Sequence, residues 1–215
     1  MTLLDKFSRG AWWTLFVLSS ALVAAYAFAF LSLPFRGSPI EQRFAVSGVD
    51  VPLHFYLAGL ALLLAPLQLM GALRQRWPRL HRLCGWLYAG SVLVGSVSGF
   101  SMALHAQGGL PSRSAFVILA LLWPVVTALG IRHAIARDFV RHRRWMLRSV
   151  ALTYAAVTLR VVLFGGMALG LPFLPVYIAS AWLGWTINLA VIEWWLRRDR
   201  RGTRPATISG GLAPG

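Results

Sequence analysis

The sequence is short of acids, of lysine and of cysteine. Six Asp and Glu face 21 Lys and Arg, Lys6 being the only lysine, for a formal net charge of +15 over 215 residues. With so few carboxylates, most of them at segment boundaries, paired catalytic acids are missing and a hydrolase is disfavoured. Phosphate-binding glycine loops, nucleophile elbows and zincin motifs are also missing. The single cysteine, Cys84, excludes an internal disulfide and supplies no thiolate cluster for a metal. No soluble stretch carries a basic face interleaved with aromatics, so nucleic acid is not the partner that the positive charge implies. No small-residue cleavage pattern follows the first apolar run, so residues 11–33 read as a retained helix.

What the sequence has in excess is apolar surface. Its composition is 58% hydrophobic and its mean hydropathy is +0.66, more than a soluble domain of this length hides, so a lipid bilayer is the expected solvent. Six apolar runs stand at 11–33, 51–73, 83–105, 114–132, 145–169 and 173–196. Each is long enough to cross the hydrocarbon as a helix, which takes about 20 residues. Basic residues gather in alternate connections: Lys6 and Arg9, then Arg74 to Arg82, then Arg132 to Arg144, then Arg197 to Arg204. The opposite connections hold only Arg36, Arg43 and Arg113. The positive-inside rule then predicts an all-α integral membrane bundle of six transmembrane helices with both termini cytoplasmic. That makes a multi-pass protein of a bacterial cytoplasmic (inner) membrane, its partners the lipid bilayer and the anionic lipid headgroups at the inner face.

Residues 1–200 read as one transmembrane domain with helices two to five at the centre. Residues 202–215, rich in Gly, Pro, Ser and Thr, read as a disordered cytoplasmic tail. The connection 34–50 is expected to cap the outer face. Gly170-Leu171-Pro172 is short enough to make the fifth and sixth helices antiparallel neighbours. Ser91, Gly95 and Gly99 recur every four residues on the third run, a small-residue stripe for close packing. Pro66 and Pro124 each interrupt a run near its middle. Most of the ten Trp sit near inner helix ends as an interfacial belt, whereas Trp123, Trp182 and Trp185 lie deeper. Glu193 is placed to pair with Arg148.

The stretch that organises the chain begins at Arg141-His142-Arg143-Arg144-Trp145 and turns apolar within one helical turn. His142, Met146, Ser149, Thr153, Ala156 and Arg160 share one stripe of that helix. Arg160 falls well inside the apolar run, where a charge costs at least about 2.5 kcal/mol. An intramembrane charge is by default a functional-site hypothesis, the alternative being an ion pair with a structural carboxylate. The stripe is expected to turn inward, so that Arg160 meets Ser98, Ser101, His54 or Asp50.

All five histidines stand at run boundaries. His54 and His105 lie on the outer side; His81, His133 and His142 lie on the inner side. A b-type haem in a helix bundle needs two imidazoles at matching depth on facing helices, with basic groups near the propionates. His54 with His105, or His81 with His133 or His142, meets the depth condition by position along the chain. His54, His105, His81, His133, His142 and Arg160 are therefore the candidate cofactor-binding residues for haem b or a quinone. His54, His105, His81 and His142 are the candidate iron ligands.

His81, Gly85 and Tyr88 share a face of the third helix. The motif His81-Arg-x-x-Gly-Trp-x-Tyr88 is followed by His142-Arg-Arg-Trp-Met-Leu-Arg-Ser149 and by Thr158-Leu-Arg160. On these motifs the chain resembles the uncharacterised bacterial membrane family DUF2306 over roughly 50–165, which implies a multi-helix membrane bundle. A looser, architectural likeness is to cytochrome b-561, whose second and fourth helices share one haem and whose third and fifth share another. Here the fourth helix has no outer histidine. The reading of the sequence is a redox membrane protein that passes electrons through haem or quinone. The alternatives are a small-molecule or anion transporter drawing on Arg160, and a non-catalytic accessory subunit of a membrane complex.

Overall fold

A computed structural model describes the backbone of residues 3–32 and 48–202. The expected cap at 34–50 falls almost wholly outside the described residues, as does the tail from 203 onward. Among the described residues there are helices and no strands: α1 Leu3–Ser32, α2 Asp50–Leu69, α3 Gly71–Arg76, α4 Pro78–Leu104, α5 Leu110–Ile135, α6 Phe139–Thr153, α7 Ala155–Ala168 and α8 Phe173–Gly202. Six spans are long and apolar enough to cross a membrane, with α6 and α7 together forming the fifth, Phe139–Ala168.

The helices run past the apolar segments because their ends carry basic residues, which are good helix formers. The second run stops early: Met70 turns to an extended conformation (φ −69°, ψ 110°), so Leu69 ends α2 and a short basic helix, α3, follows. Pro66 and Pro124 lie inside α2 and α5 without ending either helix.

The buried core is drawn from the second to fifth spans. It holds Leu64 and Ala65 of α2, Tyr88 and Val92 of α4, Trp123 and Val126 of α5, and Val150 and Leu152 of α6. The first and sixth spans lie at the periphery, and α1 has the smallest buried share of the six. The small-residue stripe of α4 receives α2. A Cβ on Gly95 would stand 3.5 Å from the Ala58 nitrogen, and one on Gly99 would stand 2.9 Å from the His54 ring. The tight connection after Ala168 brings α8 back along α7, where a Cβ on Gly184 would meet Leu159 Cβ at 3.0 Å.

The inner turn between α5 and α6 is built on Arg137, whose φ of 60° is the left-handed conformation that ends many helices. Asp138 then caps α6, its Oδ1 accepting from the Arg141 backbone N–H at 3.0 Å.

Candidate functional site

The fifth span is not the continuous helix that its apolar run predicts. It breaks at Tyr154, in the middle of the span Phe139–Ala168. Tyr154 N–H reaches Val150 O at 2.9 Å, while Val157 and Thr158 N–H converge on Tyr154 O at 2.9 and 3.2 Å. The step at Val157 is thus one residue tighter than an α-turn. Asn188 of α8 takes up the Ala151 carbonyl, donating from Nδ2 at 3.1 Å, and its Oδ1 accepts from Thr158 Oγ1 at 2.9 Å. In hydrocarbon a carbonyl without a partner costs several kcal/mol, so a second helix must supply the donor.

Just inward of the break lies a buried hydroxyl network joining α4, α5 and α6. Tyr88 Oη stands 2.7 Å from Ser149 Oγ and 2.6 Å from Thr153 Oγ1. Trp123 Nε1 donates to Thr153 Oγ1 at 3.0 Å, and Thr127 Oγ1 lies 2.6 Å from Ser149 Oγ. Thr153 and Thr127 hydroxyls donate to the carbonyls of Ser149 and Trp123. Every proton in the set has an acceptor, and none is left for a ligand. Its role is to fix the register of α4 against α6.

That register positions the inner histidines. The third and fifth spans cross in the same direction, since each begins in a basic connection on the same face of the bundle, the face that the positive-inside rule reads as inner. His81 precedes Tyr88 by seven residues and His142 precedes Ser149 by seven. Two turns of helix return each side chain to nearly the same face, about 10 Å further toward the inner end. His81 and His142 thus lie on the helix faces that carry Tyr88 and Ser149, two turns away, and His142 turns its ring to α5, where it meets Gly130 O.

His142 Nδ1 lies 2.8 Å from Gly130 O. A carbonyl only accepts, so Nδ1 carries the proton and Nε2 keeps its lone pair, the arrangement typical of a ligating imidazole. His81 Nδ1 is buried with no hydrogen-bond partner. His133 is engaged elsewhere, with Nδ1 3.9 Å from Asp138 Oδ2, the carboxylate that caps α6 and meets Arg141 Nε at 3.4 Å.

On the outer side the structure does not bring the two histidines to one level. His54 Nδ1 bonds Gly95 O at 2.8 Å and its ring covers Gly99. His105 follows the end of α4, is exposed, and places Nδ1 3.1 Å from Ser101 O. His54 thus meets α4 six to ten residues inward of His105, roughly 9–15 Å along the axis. Asp50 accepts from Ser101.

Arg160 bonds neither Asp50 nor Ser101. Its Nη1 donates to Ala156 O at 2.7 Å, one turn back toward the break, and its guanidinium carbon lies 5.4 Å from the Tyr26 ring centroid. Among the described residues no carboxylate approaches it, and no group of three His, Cys, Asp or Glu gathers to hold a metal.

These features sit within one family region. The family described as "Predicted membrane protein (DUF2306)" matches residues 51–196. The chain belongs to the DUF2306 family. The matched stretch takes in the second to sixth spans, and with them the inner histidines, the hydroxyl network, the break and Arg160. No curated protein and no solved structure matches the chain.

The helix break and the role of Asn188 are the features that sequence reasoning missed. Thr153-Tyr154-Ala155 contains neither Pro nor Gly, and the only signal was an asparagine deep in an apolar run.

Proposed function

We propose that this DUF2306 protein is a redox component of the bacterial cytoplasmic membrane, with both termini in the cytoplasm. In this reading it holds one b-type haem between His81 and His142 and exchanges electrons with a membrane quinone. The observation that supports it most is the register of α4 and α6. The Tyr88–Ser149 contact, carried two turns along each helix, would set an imidazole on each at the same level. The donor set fits the group. His142 presents Nε2 because Nδ1 is committed to Gly130 O at 2.8 Å, and His81 has a buried ring nitrogen with no protein partner.

Arg74, in the short basic helix α3 that precedes α4, would meet a propionate at this boundary. When bound, the haem supplies a one-electron carrier whose potential the axial imidazoles and the surrounding charge set. The chain's part is to hold the two rings and, at His142, to fix the tautomer through Gly130 O.

The test is haem content. Protein purified from haem-replete cells should carry about one non-covalent haem per chain, as two axial imidazoles imply. A pure, folded preparation without haem overturns the reading.

A further inference from the structure

A second feature stands apart from the inner histidines and does not depend on haem. Arg160 lies in the outer half of the fifth span, eight residues from its end at Ala168. A long cation in that position usually extends toward the interface. Arg160 does the reverse: its Nη1 turns back to Ala156 O at 2.7 Å, level with the break. The guanidinium therefore sits near the middle of the membrane, with one of its five N–H donors on a backbone oxygen. Among the described residues its other neighbour is the face of Tyr26 at 5.4 Å, and no acid reaches it. The cation is half-buried, and its surroundings open sideways. Tyr26 is 42% exposed, Val161 66% and Phe164 59%, and inside the apolar spans such surface faces lipid. The first helix, which forms one wall, has the smallest buried share of the six spans.

A permanent positive charge in hydrocarbon without a counter-ion is expensive, and a charged partner relieves most of that cost. A free anion would have to cross the hydrocarbon to reach it. An anionic group carried on an apolar chain arrives from the bilayer with its tail already solvated.

We propose that Arg160, with Tyr26 beside it, binds the oxyanion head of an amphiphile that enters between α1 and α7 from the lipid. The guanidinium has the fork geometry for a carboxylate or a phosphate monoester, and the tail lies along Val161 and Phe164.

The experiment uses the full-length protein in neutral detergent, with a long-chain fatty acid as the first probe. Its methyl ester, phosphatidic acid and inorganic phosphate serve as the other arms. Binding is read by calorimetry, and folding by the thermal midpoint of each variant. The fatty acid or phosphatidic acid should bind the wild type, and the neutral ester and inorganic phosphate should not. Arg160→Gln should weaken the anionic amphiphile about tenfold or more, as loss of a charge-assisted pair does. Arg160→Lys should recover part of the loss, because the charge returns without the fork. Tyr26→Leu, on the neighbouring helix, should give a smaller loss without touching the cation.

Equal binding of ester and acid would overturn the proposal, since the charge would then be unread. Tight binding of inorganic phosphate alone would overturn the amphiphile. Unchanged affinity in a folded Arg160→Gln protein, or no binding of any probe to the wild type, would overturn the site. Haem content measured in the same variants should stay at the wild-type value, which separates this site from the inner histidines.

Discussion

Two arginines on the fifth span, Arg148 and Arg160, share a helix direction and a membrane yet live in different electrostatic worlds. Arg148 makes a two-pronged contact with Glu193, with Nη2 3.0 Å from Oε2 and Nε bonded to Oε1, and it packs over Trp145 at 4.8 Å. Arg160 has a backbone carbonyl and a phenol ring. The first arrangement satisfies the cation within the fold, as a structural element must. The second, among the described residues, brings no carboxylate to the cation. The sequence gives both residues the same letter and much the same apolar surroundings. What separates them is whether another helix delivers a carboxylate.

The sharpest way to break this comparison is to remove the carboxylate. Glu193→Gln leaves Arg148 charged with a weaker partner. It should lower stability by about 2 kcal/mol, toward the lower part of the range for bonds to charged groups because the pair is partly exposed. Denaturation in detergent measures this, and an unchanged midpoint would mean that the pair contributes nothing. Asn188→Leu tests the same logic with neutral groups. It strips the donor from the Ala151 carbonyl and the acceptor from Thr158, and should cost about 1–2 kcal/mol, since single side-chain bonds in membranes average about 0.6. The smallest effect is expected where the charge is left unpaired. Arg160→Leu should leave the folded yield and the melting point unchanged or slightly raised, because it removes a desolvated cation and one hydrogen bond. A clear loss of fold would show that Arg160 is a structural pin after all.

Much of the architecture was legible because it is written in local terms. Runs longer than a bilayer's thickness can be counted without knowing their neighbours, and the Ser91-Gly95-Gly99 stripe announces a close approach that α2 then makes. The Arg148–Glu193 pair was also readable, from matched depth on the fifth and sixth runs. Pairings across helices were harder. His54 and His105 look equivalent by distance from a run's end. Yet α2 meets α4 lower down, so His54 lies against Gly95 and Gly99 instead of beside His105. The break at Tyr154 had no local sign, because what sustains it is an amide on α8. The closed network of Tyr88, Ser149, Thr153, Thr127 and Trp123 was visible only as scattered hydroxyls. It ties α4 to α6 two helical turns from His81 and His142.

The central claim is that these two imidazoles, and not the outer pair, form the redox site. Reduced-minus-oxidised difference spectra of the wild type beside His81→Ala, His142→Ala, His54→Ala and His105→Ala test it most directly. The account predicts a low-spin b-type spectrum in the wild type that persists in the two outer variants and disappears or turns high-spin in the two inner ones. A wild-type protein without a haem spectrum, or a spectrum lost with His54 or His105 and kept without His81 and His142, would contradict it.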